Sequence, residues 1–275
     1  TTNQIRLYGN SIDGTGTIST SITFRVYNTS KTIQSSANIT LSCTFDYRTG
    51  IEVINNGTVI LNGNITDNSI GTNTWTNQSN AKFSISGSLT GLTVLNASAS
   101  GNIVEYFGGA QAIKTPSGTP GTYWNLITTN AGTKTISNSI NVDGDLTINT
   151  NSTLEVSTYD FNVAGNTYVY GTFSDNNAGG AITFQEINID ASGTWSSLSS
   201  PSLNMLLYGN IINNSNNVTF TNARAAADIT ISGNGSMSFV YLEFNGSFNV
   251  INQSTISISD GLNANNLAGT TFTNE

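Results

Sequence analysis

The chain has no histidine and a single cysteine, Cys43, so acid–base chemistry would fall to its sixteen carboxylates. A glycosidase-type pair needs two carboxyls about 5 to 9.5 Å apart across a cleft. By sequence the nearest candidates are Glu155 with Asp160 and Asp143 with Asp145. Most of the sixteen, however, occupy a turn or the outward position of a short apolar–polar unit, where solvation alone accounts for them. Asp143-Gly144-Asp145 also suggests calcium, which takes about six to eight oxygen ligands. It lacks the dense Asp spacing of an EF-hand and the glycine-rich nonapeptide of a calcium-binding β-roll, and reads as an Asp-Gly turn. Asp13-Gly14 reads the same way. The expectation is a non-enzymatic chain with no catalytic residue, metal or cofactor.

Three tryptophans (Trp75, Trp124, Trp195) and Tyr106, Tyr123, Tyr168 and Tyr170 have the apolar faces and polar rims of a carbohydrate-stacking platform. Their wide separation in sequence favours packing in a core instead, with Tyr168 and Tyr170 flanking Val169 on the exterior. Cys43 alternates with Ile39, Leu41, Phe45 and Tyr47, which places its thiol on the buried face as an inert group. Being alone, it excludes an internal disulfide and a cysteine-based zinc site.

Asn-x-Ser/Thr sequons begin at Asn28, Asn38, Asn56, Asn64, Asn77, Asn96, Asn151, Asn213, Asn217, Asn234, Asn245 and Asn252. With 40 Asn and 74 Ser plus Thr in 275 residues, random order gives about eleven such triplets, so their number follows from composition. Each is a glycan acceptor where it is exposed. The turn positions Asn56, Asn234 and Asn245 are the better candidates, and Asn38, just before a buried strand, is the weakest.

These residues are carried by a unit that recurs along the chain: apolar, polar, apolar, closed by Asn, Gly, Ser or Asp. Asp145-Leu-Thr-Ile-Asn149, Thr153-Leu-Glu-Val-Ser157, Glu186-Ile-Asn-Ile-Asp190 and Asp228-Ile-Thr-Ile-Ser232 are examples. Each predicts a short strand with one buried face and a turn residue at its end. Neighbouring units lie seven or eight residues apart, as Thr147, Glu155 and Asn162 illustrate. Three of them make a turn of roughly 21–24 residues, within the range of stacking repeats. The fold expected is all-β, a parallel β-helix or β-solenoid. Tandem antiparallel β-sandwiches are the alternative, because Gly9-Asn10, Asn56-Gly57 and Asn234-Gly235 can also serve hairpins. The Pro/Gly loop at 115–121 is the candidate boundary between an N-terminal β module (1–114) and solenoid repeats (122–275), unless one domain runs through it. The stretch before Ala81 departs most from the pattern.

Only 9% of residues are charged, against about 25% in an ordinary domain. Aromatics at 9% and hydrophobics at 37% nevertheless supply a core, which separates the chain from disordered sequences. Eight Lys and Arg, scattered singly, and a net charge of −8 argue against nucleic acid. No stretch approaches the length of a membrane-spanning helix. The start at Thr1-Thr2-Asn3, without Met, fits a mature product whose leader has been removed.

The segment Thr122-Tyr-Trp-Asn-Leu-Ile-Thr-Thr-Asn130, running into Gly132-Thr-Lys-Thr-Ile-Ser-Asn-Ser-Ile-Asn-Val-Asp-Gly-Asp-Leu-Thr-Ile-Asn149, resembles repeats of secreted prokaryotic surface proteins, both bacterial adhesin-like and archaeal sheath or surface-layer proteins. The likeness covers Thr122 to Phe184 and implies a secreted β-solenoid in an extracellular, cell-surface setting, without catalytic residues. A solenoid end exposes unpaired N–H and C=O groups. The segments 4–11 and 261–275 offer little charge to protect such ends, and low surface charge removes the repulsion between copies. The expectation is a self-assembling structural subunit, with itself as partner and glycans as possible decoration. An adhesin or carbohydrate-binding module is the alternative.

Overall fold

A computed structural model of the chain describes residues 4–19, 21–48, 50–67, 71–175, 180–197, 205–263 and 269–275. Among these, every regular element is a strand and every strand pairing is parallel. The chain winds as a three-faced β-solenoid of about twelve turns. One turn shows the plan: Ile140–Val142 on the A face, Leu146–Ile148 on the B face and Ser152–Val156 on the C face. Each strand stacks on the strand one turn away, about 4.8 Å along the axis. Residues paired between strands lie from 18 positions apart (Met205 with Ala223) to 24 apart (Thr58 with Lys82).

Alternation explains the winding. In Leu146–Ile148, Ser152–Val156 and Thr172–Asp175 every second residue is buried, so each strand sends one row of side chains inward and one outward. Two aromatic stacks fill the interior. In the upper one, Trp75 lies on Phe83 with ring centroids 4.2 Å apart, next to Phe45. In the lower one, Trp195 lies on Phe173, also at 4.2 Å, and the stack continues through Phe220 to Phe239. Fully burying each such ring contributes on the order of 2–3 kcal/mol.

Amides organise the corners. Asn55 accepts the Gly57 N–H at Oδ1 and donates to Asn77 Oδ1 at 2.7 Å. Asn213 and Asn252 repeat the arrangement, each accepting the N–H and donating to the carbonyl of the residue two positions on, Ser215 and Ser254. Buried backbone groups at a bend must find partners, and an Asn facing inward supplies one acceptor and two donors. Glycine is needed where turns approach closely: a Cβ at Gly235 would lie 2.1 Å from the Ser215 carbonyl oxygen. At Gly233 the backbone is also left-handed, with φ of 107°, which glycine tolerates without strain.

Wholly parallel pairing rules out the sandwich alternative. The B ladder runs unbroken from Thr15–Ser19 to Thr271–Asn274, so the stretch before Ala81 belongs to the same stack. The 115–121 loop sits at a corner between Gln111–Ile113 and Gly121–Tyr123, and the B ladder passes it by pairing Ile103–Tyr106 with Asn125–Thr128. The interruption lies on the other two faces. The C ladder stops at Ile65–Asp67 and resumes at Gln111–Ile113, with Leu89 and Leu92 plugging the core between them. The A ladder crosses from Val94–Asn96 to Gly121–Tyr123 by the single bridge Ala97–Tyr123. In this middle section the buried hydroxyls of Tyr106 and Tyr123 lie 2.9 Å apart and hold the Lys114 backbone, Tyr106 accepting its N–H and Tyr123 donating to its carbonyl.

Candidate functional site

Because the ladder break divides it, the C face carries two outward surfaces. Above the break, Gln4–Leu7, Thr23–Val26 and Phe45–Tyr47 stack so that Arg6 pairs with Arg25 and Arg25 with Asp46. The next outward positions are Tyr8, Tyr27 and Arg48. Tyr8 stacks on Tyr27 at 5.1 Å, and the Arg6 guanidinium lies 5.8 Å from the Tyr27 ring centre. Arg25 donates to the fully buried Asp46 carboxylate and to Gln4 Oε1. Thr66 donates to the other Asp46 oxygen at 3.1 Å. Burial pushes the Tyr27 phenol up, but hydrogen bonds from Arg25 and Arg48 and the charge of Arg6 outweigh it, so its net shift is downward.

This gathering corrects the expectation that the cations are scattered singly. Arg6 and Arg25 are 19 residues apart, which is one turn, so winding brings them together. Only the turn length could have disclosed this, and that length varies. Two of the other cations are taken inward. Lys31 Nζ donates to the Tyr27 carbonyl at 2.8 Å and Lys134 Nζ to the Asn130 carbonyl at 2.8 Å, and desolvation lowers both pKa values.

Below the break the outward surface is hydroxylic. One column runs Thr133, Thr153, Thr172, Thr194, Asn217, Ser236, Thr255, and the adjacent one Thr135, Glu155, Ser174, Ser196, Thr219, Ser238, Ser257. Its lower part forms a shallow trough of about 360 Å³ lined by Ser196, Thr219, Ser236, Ser238, Thr255 and Ser257. Glu155 is the one charged side chain in the two columns.

The carboxylates singled out by sequence are spread over several corners and faces. Asp145 Oδ1 accepts the Asn166 N–H at 2.9 Å and Asp160 Oδ1 the Ala181 N–H at 2.7 Å. Both join a backbone group one turn away, as Asp228 does for Asn249. Asp143 is exposed and Glu155 half-buried on the C face. Asp13 accepts from Ser36 Oγ and the Gly14 N–H, and these bonds lower its pKa. Among the described residues no three Asp, Glu or Cys side chains gather as a metal-binding group.

The aromatics fall mainly inward. Trp75, Trp195, Tyr106 and Tyr123 are buried, Trp124 and Tyr168 are half-buried, and Tyr170 is exposed. Cys43 is buried, and desolvation raises its pKa.

Of the sequon asparagines, Asn28, Asn64, Asn151, Asn217, Asn234 and Asn245 are exposed, while Asn56 and Asn96 are half-buried. Asn77, Asn213 and Asn252 are buried, with Nδ2 donating to backbone carbonyls inside the corners. A glycan attaches through that nitrogen, so in the folded chain its attachment would break these hydrogen bonds. Asn38 is exposed, contrary to its weak standing by sequence, because it begins its strand on the outward row.

Compared with known proteins, the chain matches no family, no curated protein and no solved structure. Among the described residues no helix is long and apolar enough to cross a membrane.

Proposed function

We propose that the chain is a non-enzymatic structural subunit of an extracellular layer, sheath or fibre at a cell surface, and that copies join by β-edge pairing. The observation that carries this reading is the parallel B ladder, unbroken from Thr15–Ser19 to Thr271–Asn274, whose edge groups a further strand can pair. Among the described residues, Gln4–Leu7, Ser11–Ile12 and Thr15–Ser19 have a partner strand on one side only, as do Thr255–Asn263 and Thr271–Asn274. The turn that holds Thr255–Asn263 and Thr271–Asn274 leaves Ile256, Ile258 and Phe272 partly exposed around a recess of about 510 Å³, with Leu262 46% exposed. A second copy stacked on either end would pair these backbone groups and cover the apolar rim. Scarce surface charge and the likeness of Thr122–Phe184 to secreted surface repeats agree with this reading, and the exposed sequons are where glycans would attach.

Electron microscopy of the native material, without refolding, tests it. Regular tubes, sheets or filaments are expected. Dispersed single rods at high protein concentration would refute assembly. A second reading, a surface adhesin, is favoured by the exposed Arg6, Tyr8 and Arg48 above the ladder break.

A further inference from the structure

We infer that the lower C face binds ice, its two hydroxyl columns being matched to a lattice of ordered water. The inference is independent of assembly, because stacking at the ladder ends leaves this lateral face open.

Register is the first argument. Twelve of the fourteen column positions are Thr or Ser, the exceptions being Glu155 and Asn217. Paired residues here lie 19 positions apart at Thr153 and Thr172 but 23 apart at Ser196 and Thr219, yet the columns stay aligned, and the bulge between Phe239 and Tyr241 falls past them. Differences in turn length are therefore taken up at the corners. A chain rich in Thr and Ser does not produce such columns everywhere. On the B face of the same turns an outward column runs Ile127, Thr147, Tyr168, Asn188, Ile212, Ser232.

Spacing and chemistry are the second. Neighbouring hydroxyl positions lie about 4.8 Å apart along the axis and about 6.6 Å apart across it, two residues along a parallel strand. Both distances are close to oxygen repeats of hexagonal ice. Six axial steps extend the array over roughly 29 Å. A hydroxyl carries one donor and two acceptors, so acceptor sites remain even where two meet, as Thr219 and Ser238 do at 3.1 Å. Threonine is stiff at χ1, and its methyl group displaces loosely held water. Behind the face Phe173 stacks on Trp195, and stacked ladders of this kind oppose sheet twist. Groups already held in place lose little freedom on binding.

Charge, which would hold a hydration shell of its own, is kept away. Lys134 stands between Thr133 and Thr135 but turns inward to the Asn130 and Gly132 carbonyls, leaving Glu155 as the charged interruption. The columns also lack the aromatic rings on which a sugar lattice would stack.

The test holds a single ice crystal in a solution of the full chain and reads the gap between its melting and freezing points, then measures how much protein a slowly growing ice front takes up. A gap and enrichment in the ice are expected. Thr172→Lys, within the uninterrupted run Thr133, Thr153, Thr172, Thr194, is expected to lose most of both. Thr147→Lys, which places the same charge outward on the B face, is expected to behave as the unaltered chain does. If Thr172→Lys lowers the unfolding temperature of the protein, Glu155→Thr, which fills the charged interruption, is read in its place and is expected to widen the gap. Absence of a gap with exclusion from the ice, an equal loss in Thr147→Lys, or no widening in Glu155→Thr would overturn the inference. So would adsorption to crystalline cellulose or chitin without any effect on ice, because the occupant would then be a sugar lattice.

Discussion

Above its ladder break the C face presents Arg6, Tyr8, Arg25, Tyr27 and Arg48, whereas below it the same face presents two columns of Thr and Ser interrupted by Glu155 and Asn217. The interiors behind these surfaces are alike, since a Trp–Phe stack at 4.2 Å lies in each. Inward rows and corner amides therefore set the fold, and outward rows are left to vary. The upper outward row couples to the core through one group: Asp46 is a buried carboxylate facing outward and satisfied by Arg25 and Thr66. Among the described lower turns Asp175 and Glu243 are also buried, but Asp175 accepts from Ser197 and Glu243 pairs with the partly exposed Arg224.

The largest effect should follow from cutting that coupling. Asp46→Ala leaves the Arg25 guanidinium, 14% exposed, without its partner, and removing one member of a buried pair costs about 3–5 kcal/mol. Urea unfolding should show a loss of that size. A loss below about 1 kcal/mol would mean that the upper face is no more tied to the core than the lower one.

Alkali should divide the molecule next. Tyr47, Tyr106 and Tyr123 are fully buried, burial raises the pKa of each, and Tyr106 is pushed up to about 12. Unfolded tyrosine ionises near 10, so between about 10 and 12 the folded state keeps protons that the unfolded state has released. Stability then falls as pH rises, roughly tenfold in the folding equilibrium per pH unit for each such tyrosine. The described tyrosines after Tyr123 are not buried. Since a solenoid can open turn by turn, proteolysis at about pH 11 should cut the turns before Tyr123 first. Tyr106→Phe should move the alkaline midpoint upward. Uniform cleavage along the chain would remove the distinction.

Legibility in the sequence followed the same division between inside and outside. Alternation marked Leu146–Ile148 and Ser152–Val156 as strands, and their closing residues marked the corners, because both depend on neighbours within eight positions. Three things were hidden: the meeting of Arg6 with Arg25, the break in the C ladder between Asp67 and Gln111, and the burial of Asn77. All three depend on register between turns, and the turns vary from 18 to 24 residues. Asn77 and Asn28 look alike as sequons. One closes a strand on its inward row and the other, at φ of 68°, rounds a corner outward.

A smaller effect tests whether the corners are equivalent in the two regions. Asn55 in the upper turns and Asn213 in the lower ones each accept an N–H two residues on and donate to groups of the next turn. Replacing either by Ala leaves buried donors and acceptors unmatched, at about 1–3 kcal/mol. The two variants should lose similar stability in urea. A lower-turn cost near zero would indicate that its corner is held by the backbone alone.

The smallest effects belong to the hydroxyl columns, and their smallness is informative. Thr172 and Ser196 face outward below the break, on strands whose inward neighbours Phe173 and Trp195 are buried. Removing an outward hydroxyl away from caps and networks changes stability by less than about 0.5 kcal/mol, so Ser196→Ala and Thr172→Val should melt within a degree or two of the unaltered chain. Arg6→Ala, exposed above the break, should be equally mild for the fold even though it removes a charge. If the lower-face variants instead destabilise by 1 kcal/mol or more, the hydroxyl columns are part of the solenoid's own hydrogen bonding. If they do not, a seven-turn row of Thr and Ser persists without serving the fold, and its use lies at the surface it presents.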